Sequence, residues 1–505
     1  MIGRTRSIAL AGVTGHVIDV ESHMAASLPA FSIVGLPDAA LSESRDRVRA
    51  AVSSSGLAWP TRRITVNLSP ASLPKSGSLT DLAIAVAVLA AAGQVDRDLA
   101  ANAVHIGELG LDGRVRPVRG VMPAVAAAVA AGHARVVVPA ANAAEAALVP
   151  GAHVVAVASL AELAGIYGNT DACASSTEVV AATLPPAHPQ TEVDMSEVRG
   201  QAQARWALEV AAAGGHHLLM MGPPGAGKTM LASRLPTILP DLTEADAVAA
   251  TAVHSLAGTF DPAQGLLKRP PFEAPHHSAS AASIVGGGSL MARPGAISRA
   301  HGGVLFLDEA PEFPSRVLQT LRQPLESGEV VLHRAQGAAR YPARFQLILA
   351  ANPCPCGRFY ADGSQCSCTP MSRRRYMGRL SGPLLDRIDL HIDVQPVRRS
   401  GEEDAESSAT VGARVRAARA VMADRLAPHG WTANSQANGS WLRTHTPRSA
   451  TRPVYGALDR GVLTARGVDR TLRVAWTLAD LEGVDMPTVE HVSQAMTLRT
   501  RAVTA

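Results

Sequence analysis

The first part of the chain contains two kinds of apolar run, which differ in length and in residue type. Short runs rich in β-branched residues, such as Arg63–Leu68 and Arg135–Val138, predict buried strands. The longer Ala-rich runs Leu82–Gly93 and Val121–Gly132 predict buried helices. Because the two kinds of run alternate, we expect an α/β or α+β domain. No apolar run reaches the roughly 18 residues of a membrane span, so we expect no membrane association.

Shifts in pattern divide the chain into four parts. Residues 1–168 form the first domain, and residues 169–190 form a Pro- and Ser-rich linker without periodicity. Residues 191–396 carry most of the motifs, and residues 397–505 are dominated by helical patterns. The predicted C-terminal helices are Val411–Leu426, Arg466–Leu481 and Val489–Arg501.

The composition of the 505-residue chain narrows the possible functions. Hydrophobic residues make up 47%, enough for sizeable cores, while aromatics at 3% argue against base stacking as the main chemistry. Three of the 47 basic residues are lysines, so the arginine surplus indicates a coding bias first and phosphate binding second. The five cysteines do not suggest a disulfide framework, and the apolar stretch after Arg6 is too short for a signal peptide. We therefore expect a cytoplasmic protein.

A phosphate-binding loop follows the predicted strand His217–Met221 and precedes a predicted helix. Backbone N–H groups of such a glycine-rich loop surround phosphates at a helix N-terminus. Lys228 is expected to reach the β- and γ-phosphates of ATP, and Thr229 to ligate Mg²⁺. The loop consists of Gly222, Pro223, Pro224, Gly225, Ala226, Gly227, Lys228 and Thr229.

Two further predicted strands end in polar residues suited to ATP hydrolysis. The apolar run that begins at Gly303 ends in Asp308, expected in the Mg²⁺ shell, and Glu309, expected to polarise the attacking water. The next strand ends in Asn352, which can orient that water. The alternative for Asn352 is a turn-forming role before Pro353.

Four of the five cysteines are crowded into two short pairs. Cys354 and Cys356 form one C-x-C pair, and Cys366 and Cys368 form the other. In a chain without a disulfide framework, this spacing resembles a structural Cys₄ zinc site that would hold a loop together. The alternative is four reduced cysteines without a metal.

These motifs together resemble an AAA+ ATPase, and more specifically the magnesium-chelatase-like ATPases of the ComM (YifB) family. The resemblance covers essentially the whole chain and implies an α/β P-loop core with a C-terminal helical lid. It also implies a preceding α+β domain like that of Lon proteases (ribosomal S5 domain 2-like) and a homo-oligomeric ring, by analogy a hexamer. The matching runs are Val198–Gln201, Ala274–Ser280, Pro294–Ser298, Phe306–Glu309, Leu321–Glu326, Asn352–Gly357 and Ser381–Asp389.

The resemblance assigns roles to two arginines outside the phosphate loop. Arg387 matches an arginine finger that enters the neighbouring subunit's site; the alternative is a local ion pair with Asp386 or Asp389. Arg466 matches the sensor arginine of the lid, with Arg473 as the second choice. The chain departs from the family at Trp476, where relatives usually carry arginine.

Two further elements are expected to face the pore of such a ring. The first is the excursion Glu273–Arg299, whose three consecutive glycines predict a mobile loop, and the second is a hairpin over Gly328–Tyr341. Arg293, Arg334 and Arg340 could then contact DNA phosphates, although any of them could equally be a solvated surface charge.

The Lon-like first domain lacks the residues of a Ser–Lys dyad. Leu79 stands where the serine belongs and Ala124 where the lysine belongs, so we expect a non-proteolytic domain. The leading interpretation is an ATP-driven DNA motor with helicase or branch-migration activity in natural transformation and homologous recombination. The alternative of a different class is the ATPase component of a magnesium (porphyrin) chelatase. The missing dyad argues against an ATP-dependent protease. The intact Lys228, Glu309 and Arg387 argue against a scaffold that binds nucleotide without acting as a motor.

Overall fold

The computed structural model describes residues 1–35, 39–70, 73, 79–170, 172, 179–181, 193–288, 293–334, 337–360, 363–396 and 405–500. Lys75–Ser78, Cys173 and most of the predicted linker lie outside these residues. In the part of the chain that is described, no helix is long and apolar enough to cross a membrane.

The N-terminal domain is built on a seven-stranded mixed sheet in the order β3-β4-β2-β1-β5-β8-β9. The pairs β1–β2 and β2–β4 are antiparallel, and the other neighbours are parallel. Helix α2 is buried along almost its whole length because it packs on this sheet. The elements are β1 (Ile2–Ala11), β2 (Thr14–Ala25), β3 (Ala30–Val34), α1 (Ala39–Ser54), β4 (Arg63–Ser69), α2 (Asp81–Ala92), α3 (Arg97–Ala101), β5 (Val104–His105), β6 (Glu108–Leu109), β7 (Val115–Arg116), α4 (Val121–Ala130), β8 (Arg135–Pro139), α5 (Ala143–Ala146), β9 (His153–Val157) and α6 (Leu160–Ile166).

The two positions of the missing dyad lie inside this domain. Leu79 and Ala124 belong to one buried apolar cluster, together with Val121 and Val125. Their side chains contribute packing and offer no group for nucleophilic catalysis. The likeness of the domain to Lon-type proteases stays a prediction.

The second domain is an α/β unit with a five-stranded parallel sheet in the order β11-β14-β17-β10-β18. Parallel strands place their carboxyl ends at one edge, so this topology fits an AAA+-like α/β fold. The elements are α7 (Ala202–Gly214), β10 (Leu218–Met221), α8 (Lys228–Ile238), α9 (Glu244–Ala257), β11 (Phe272–Glu273), α10 (Ala281–Val285), β12 (Gly286–Gly287), β13 (Arg293–Pro294), α11 (Ala296–Arg299), β14 (Val304–Leu307), α12 (Ser315–Thr320), α13 (Pro324–Ser327), β15 (Glu329–Arg334), β16 (Gly337–Pro342), β17 (Gln346–Ala351), α14 (Pro370–Met377), α15 (Gly382–Leu385) and β18 (Leu390–Asp393).

The excursion between β11 and β14 is more ordered than its glycines predict. Gly286 and Gly287 form a two-residue antiparallel ladder with Pro294 and Arg293. A Cβ on Gly286 would lie 2.6 Å from the carbonyl oxygen of Arg293, so the glycine allows the close approach of two backbones. The prediction of an unpacked loop is therefore wrong for these two residues.

The C-terminal helical region, expected to be the lid, packs on the five-stranded sheet through one continuous hydrophobic cluster that includes residues of both. An ion pair crosses the same boundary, because Nη1 of the half-buried Arg470 lies 3.0 Å from Oδ1 of the fully buried Asp389. Burial alone would raise the pKa of Asp389, but Arg470 and His216 lower it well below its usual value. The lid helices are α16 (Ser408–Leu426), α17 (Gly439–His445), α18 (Arg448–Asp459), α19 (Ala465–Glu482) and α20 (Val489–Thr500).

The N-terminal domain contacts the second domain at helix α9 and at the hairpin β15–β16. The Ser255 hydroxyl of α9 donates a hydrogen bond to the buried Glu145 carboxylate, whose pKa is raised by burial. The backbone N–H of Val13 donates to the carbonyl of Arg340, 3.4 Å away. The hairpin β15–β16 therefore packs against the N-terminal domain.

Candidate nucleotide-binding site

The phosphate-binding loop connects β10 to α8 at the carboxyl edge of the parallel sheet. Gly225 and Gly227 have φ angles of 78° and 85°, in the left-handed region that favours glycine. The loop then enters α8 at Lys228, so free N–H groups of the first helical turn face the loop. This backbone fits the phosphates of a nucleotide.

Lys228 is buried, and its ammonium group contacts three oxygens. Its Nζ atom donates to the carbonyls of Gly222 at 2.6 Å and Pro223 at 3.0 Å, and to Asn352 Oδ1 at 3.1 Å. Burial lowers the pKa of Lys228, and the nearby Asp308 and Glu309 oppose this shift. Asn352, at the end of β17, is thereby brought to the phosphate loop.

A hydroxyl and a carboxylate meet where the Mg²⁺ ligands are expected. Thr229 Oγ1 donates to Asp308 Oδ2 at 2.6 Å, although 79 residues separate the two in sequence. Asp308 Oδ1 also accepts the backbone N–H of Glu309 at 2.9 Å. Hydroxyl and carboxylate oxygens are hard ligands of the kind that Mg²⁺ prefers, so these residues fit the ion.

Glu309 has an unusual backbone and a partner that the sequence did not indicate. Its φ of 50° is left-handed, a strained conformation for a residue with a side chain. Its Oε2 atom lies 3.2 Å from Nδ1 of His277, which sits in the loop after β11. The only sequence signal for His277 was its place inside the run Ala274–Ser280.

Gln201 is a second residue that sequence reasoning missed. Its backbone is also left-handed, with a φ of 55°, and its Nε2 donates to the Ala226 carbonyl of the phosphate loop at 2.6 Å. The same atom donates to the carbonyl of Gln395 at 3.3 Å. Gln201 therefore links the segment before α7 to the loop and to the end of the sheet.

Arg387 forms a local ion pair. Its side chain is 8% exposed and pairs with Glu326, and a second hydrogen bond goes to the Pro383 carbonyl. The expected alternative partners, Asp386 and Asp389, are wrong; Asp389 is instead occupied by Arg470. Arg387 lines a cavity of about 480 Å³. Other residues lining this cavity include Gln319, Arg322, Gln323 and Ser327.

The two lid arginines differ in their surroundings. Arg466 is exposed in the first turn of α19, whose N-cap is Thr464. Arg473 is half-buried; partial desolvation lowers its pKa to about 10, and its Nε donates to the Ala437 carbonyl at 2.7 Å. Trp476 is buried beneath the guanidinium of Arg425, 4.5 Å from the ring centroid. Arg466 is thus the one of the two candidates that is free to turn toward a ligand.

The three candidate DNA-contacting arginines lie on the two hairpins. Arg293 is exposed on β13. Arg340 is exposed on β16, and its Nη1 lies 2.8 Å from Glu329 Oε1 of the facing strand. Arg334 ends β15, and its side chain lies outside the described residues.

The four clustered cysteines converge in space. All four Sγ atoms lie within 4.8 Å of one another, and three of the separations are 3.3, 3.6 and 3.7 Å. A tetrahedral zinc with bonds of about 2.3 Å places its sulfurs about 3.8 Å apart, so the cluster fits zinc. The backbone N–H of Arg358 and the neighbouring Cys354 lower the pKa of Cys356 to about 6, which favours the thiolate form.

Comparisons with known proteins agree with this arrangement. The model described as "Magnesium chelatase, subunit ChlI" matches residues 194–402, and two related models match residues 20–142 and 405–499. The chain is 51% identical to an uncharacterised protein of Mycobacterium tuberculosis strain H37Rv over 99% of its length and 98% of the relative. It is 39% identical to YifB of Escherichia coli K12, over 97% of this chain and 96% of YifB. It is 38% identical to competence protein ComM of Haemophilus influenzae, over 98% of this chain and 96% of ComM.

This chain belongs to the ComM/YifB family of magnesium-chelatase-like proteins. The resemblance seen in its motifs is thereby confirmed. By contrast, the magnesium-chelatase 38 kDa subunit of Cereibacter sphaeroides is 30% identical over 105 residues, or 21% of this chain and 25% of that subunit. As a ComM/YifB-family protein, the chain aligns with ComM over 98% of its length and with YifB over 97%, but with the chelatase subunit over 21%.

Proposed function

We propose that this protein is an ATP-hydrolysing AAA+ ring motor that acts on DNA. The finer activity would be helicase or branch migration in natural transformation and homologous recombination. The observation that carries the proposal is the meeting of Lys228, Thr229, Asp308, Glu309 and Asn352 at one edge of the sheet. The name of the Haemophilus influenzae relative, a competence protein, supports a role with incoming DNA.

The proposed hydrolysis assigns one task to each residue. Lys228 would exchange its loop carbonyls for the β- and γ-phosphates, and Asn352 would then be free to hold the attacking water. Thr229 and Asp308 would hold Mg²⁺, which supplies charge neutralisation on the phosphates when bound. Glu309 would accept the proton of the water, and His277 would position its carboxylate until substrate arrives.

Arg387 would complete the site of a neighbouring subunit, which requires a ring. Its guanidinium would leave Glu326 and stabilise negative charge on the γ-phosphoryl group held by the neighbour's loop. Assembly would then depend on nucleotide, and a hexamer follows by analogy with the family. Arg466 would contact the nucleotide from the lid.

Removal of the hairpin charges tests the DNA part of the proposal. In the double variant Arg334→Ala, Arg340→Ala, we expect DNA to stimulate ATPase activity less, while the basal rate stays near that of the wild type. The reason is that neither residue belongs to the nucleotide motifs, whereas both would meet phosphates. Titration of forked and four-way-junction DNA into an ATPase assay at two salt concentrations measures both rates.

A matched control removes exposed arginines from the lid surface, Arg452→Ala with Arg460→Ala. Equal DNA stimulation in the hairpin variant and the wild type would exclude the hairpin as a DNA contact. If no DNA structure changes the ATPase rate of the wild type and no DNA binding is detected at low salt, the DNA-motor proposal is refuted. That result would favour the second candidate, the ATPase component of a magnesium (porphyrin) chelatase, which the short match to the chelatase subunit supports weakly.

We also propose that the four cysteines hold one structural Zn²⁺. Purified protein is expected to contain about one zinc per chain by elemental analysis, because four thiolates close a tetrahedral site. The variant Cys354→Ser, Cys356→Ser is expected to lose the metal and to unfold at a lower temperature. Replacement of the fifth cysteine, Cys173→Ser, is the control and should leave the zinc content unchanged. Less than about 0.2 zinc per wild-type chain under reducing conditions would refute the site.

A further inference from the structure

The segment that contains the cysteine cluster and helix α14 carries a concentration of positive charge. Among the described residues of 352–381 there are five arginines and neither an aspartate nor a glutamate. Arg379 is paired with Glu312, 2.8 Å away. Within the described part of the chain, no carboxylate lies within ion-pair distance of the other four, which are Arg358, Arg373, Arg374 and Arg375.

These four side chains face outward from a surface with a fixed shape. Arg374 and Arg375 are exposed on helix α14, while the next residue, Tyr376, is buried beneath them. Arg373 stacks on the ring of Phe359, with its guanidinium carbon 3.8 Å from the ring centroid. This contact orients the guanidinium in advance, so less side-chain entropy is lost when an anion binds. We call Arg358, Arg373, Arg374 and Arg375 the basic face.

The opposite side of the segment touches three parts of the nucleotide site. Gly357 packs so closely on the phosphate loop that a Cβ there would lie 2.5 Å from Cδ of Pro224. The Tyr376 side chain lies close to the backbone of Asn352. Arg379 donates to the Pro311 carbonyl at 3.1 Å, two residues after Glu309. A ligand bound to the outer side would therefore contact a segment whose inner side packs against groups proposed to bind and hydrolyse ATP.

We propose that the basic face binds the phosphodiester backbone of a single-stranded nucleic acid and that this contact is coupled to ATP turnover. Four guanidiniums without an ion-pair partner among the described residues, one in a loop and three on α14, suit a polyanion with repeated charges better than one isolated phosphate. The inference rests on the proposed function as a DNA motor. It names a contact surface separate from the hairpin arginines.

The test is fluorescence anisotropy of a labelled oligo-dT strand with the full chain and a non-hydrolysable ATP analogue, at about 50 and about 200 mM NaCl. The triple variant Arg358→Ala, Arg374→Ala, Arg375→Ala leaves the Arg373–Phe359 stack in place. Its Kd for the strand is expected to rise by about 10- to 100-fold at the lower salt concentration. The slope of the logarithm of the binding constant against the logarithm of the salt concentration should become shallower by about 2, because each lost phosphate contact removes about 0.7. DNA stimulation of the ATPase should fall with binding, while the basal rate is retained.

Two further triple variants separate charge from structure. Lysine at the same three positions should retain most of the affinity, since phosphate contact requires charge and not a particular geometry. Alanine at the exposed lid arginines Arg448, Arg452 and Arg460 removes the same charge elsewhere and should leave Kd nearly unchanged. Light scattering and thermal unfolding of every variant establish that assembly and folding are intact.

Each remaining outcome counts against the inference in a distinguishable way. If the wild type binds the strand and the alanine triple binds equally well, the basic face is excluded while the DNA motor stands. If the wild type itself does not bind, both fail. If the alanine triple loses ring assembly together with binding, the basic face is a contact between subunits and the inference is overturned. The same follows if the lysine triple folds normally but binds as poorly as the alanine triple.

Discussion

Arg387→Ala is expected to lower ATPase turnover by a factor on the order of 10³ while leaving nucleotide affinity nearly unchanged. The reason is that a finger arginine stabilises charge that develops on the γ-phosphoryl group in the transition state, so its loss affects kcat rather than ground-state binding. Steady-state ATPase kinetics and equilibrium binding of a fluorescent ATP analogue measure the two quantities.

The Glu326→Gln variant is the matched control, because it removes the local carboxylate partner of Arg387 and keeps the guanidinium. It should retain turnover if Arg387 acts on a neighbour, and it should fail as badly as Arg387→Ala if the ion pair itself is what matters. Mixed rings provide the second check. Arg387→Ala subunits combined with Lys228→Ala subunits contain some intact composite sites, so a mixture without any recovered activity would contradict the shared site.

Lys228→Ala and Glu309→Gln are expected to separate binding from hydrolysis. Loss of Lys228 should weaken ATP binding by about 10- to 100-fold, because charge-assisted hydrogen bonds to the phosphates are lost. Glu309→Gln should bind ATP normally and lower turnover by about 10²- to 10⁴-fold, because the amide cannot accept the proton of the attacking water. Binding and single-turnover measurements on the same preparations decide the assignment.

The matched control for the Glu309 variant is Glu312→Gln, three residues further along the same segment and paired with Arg379. That change should leave the chemical step nearly intact. If the Glu309→Gln protein hydrolyses ATP at the wild-type rate, another group must act as the base. If the Lys228→Ala protein binds ATP with unchanged affinity, Lys228 does not contact the nucleotide.

The nucleotide site could be predicted from sequence because its chemistry requires contiguous patterns. The loop ending in Lys228 and Thr229 and the strand ending in Asp308 each carry their function in neighbouring residues, so a parallel sheet was sufficient to bring them together. The contacts of Glu309 and Arg387 were not predictable in this way. His277 lies in an irregular loop, and Glu326 is 61 residues from Arg387, so both pairs depend on tertiary packing.

Strands β1 and β2 show why part of the N-terminal fold was not predicted. The inward positions of β1 include the buried polar residues Thr5 and Ser7, so the apolar alternation that indicates a strand is weak. The outward residues Arg4 and Arg6 are paired across the ladder with Glu21 and Asp19 of β2. Cross-strand ion pairs of this kind depend on the register, which the sequence of one strand does not contain.

The ion pair between Asp389 and Arg470 couples helix α19 of the lid to the edge of the five-stranded sheet. The Asp389 side chain is fully buried and that of Arg470 is 21% exposed, so loss of either partner would leave the other charge without its compensation at the boundary between the sheet and α19. Helix α19 continues about 18 Å from Arg470 to its end at Glu482. A tilt of the sheet edge by about 10° therefore moves the far end of this helix by about 3 Å. A movement of the sheet edge that carried Asp389 with it would therefore be largest at the outer end of the lid, at Glu482.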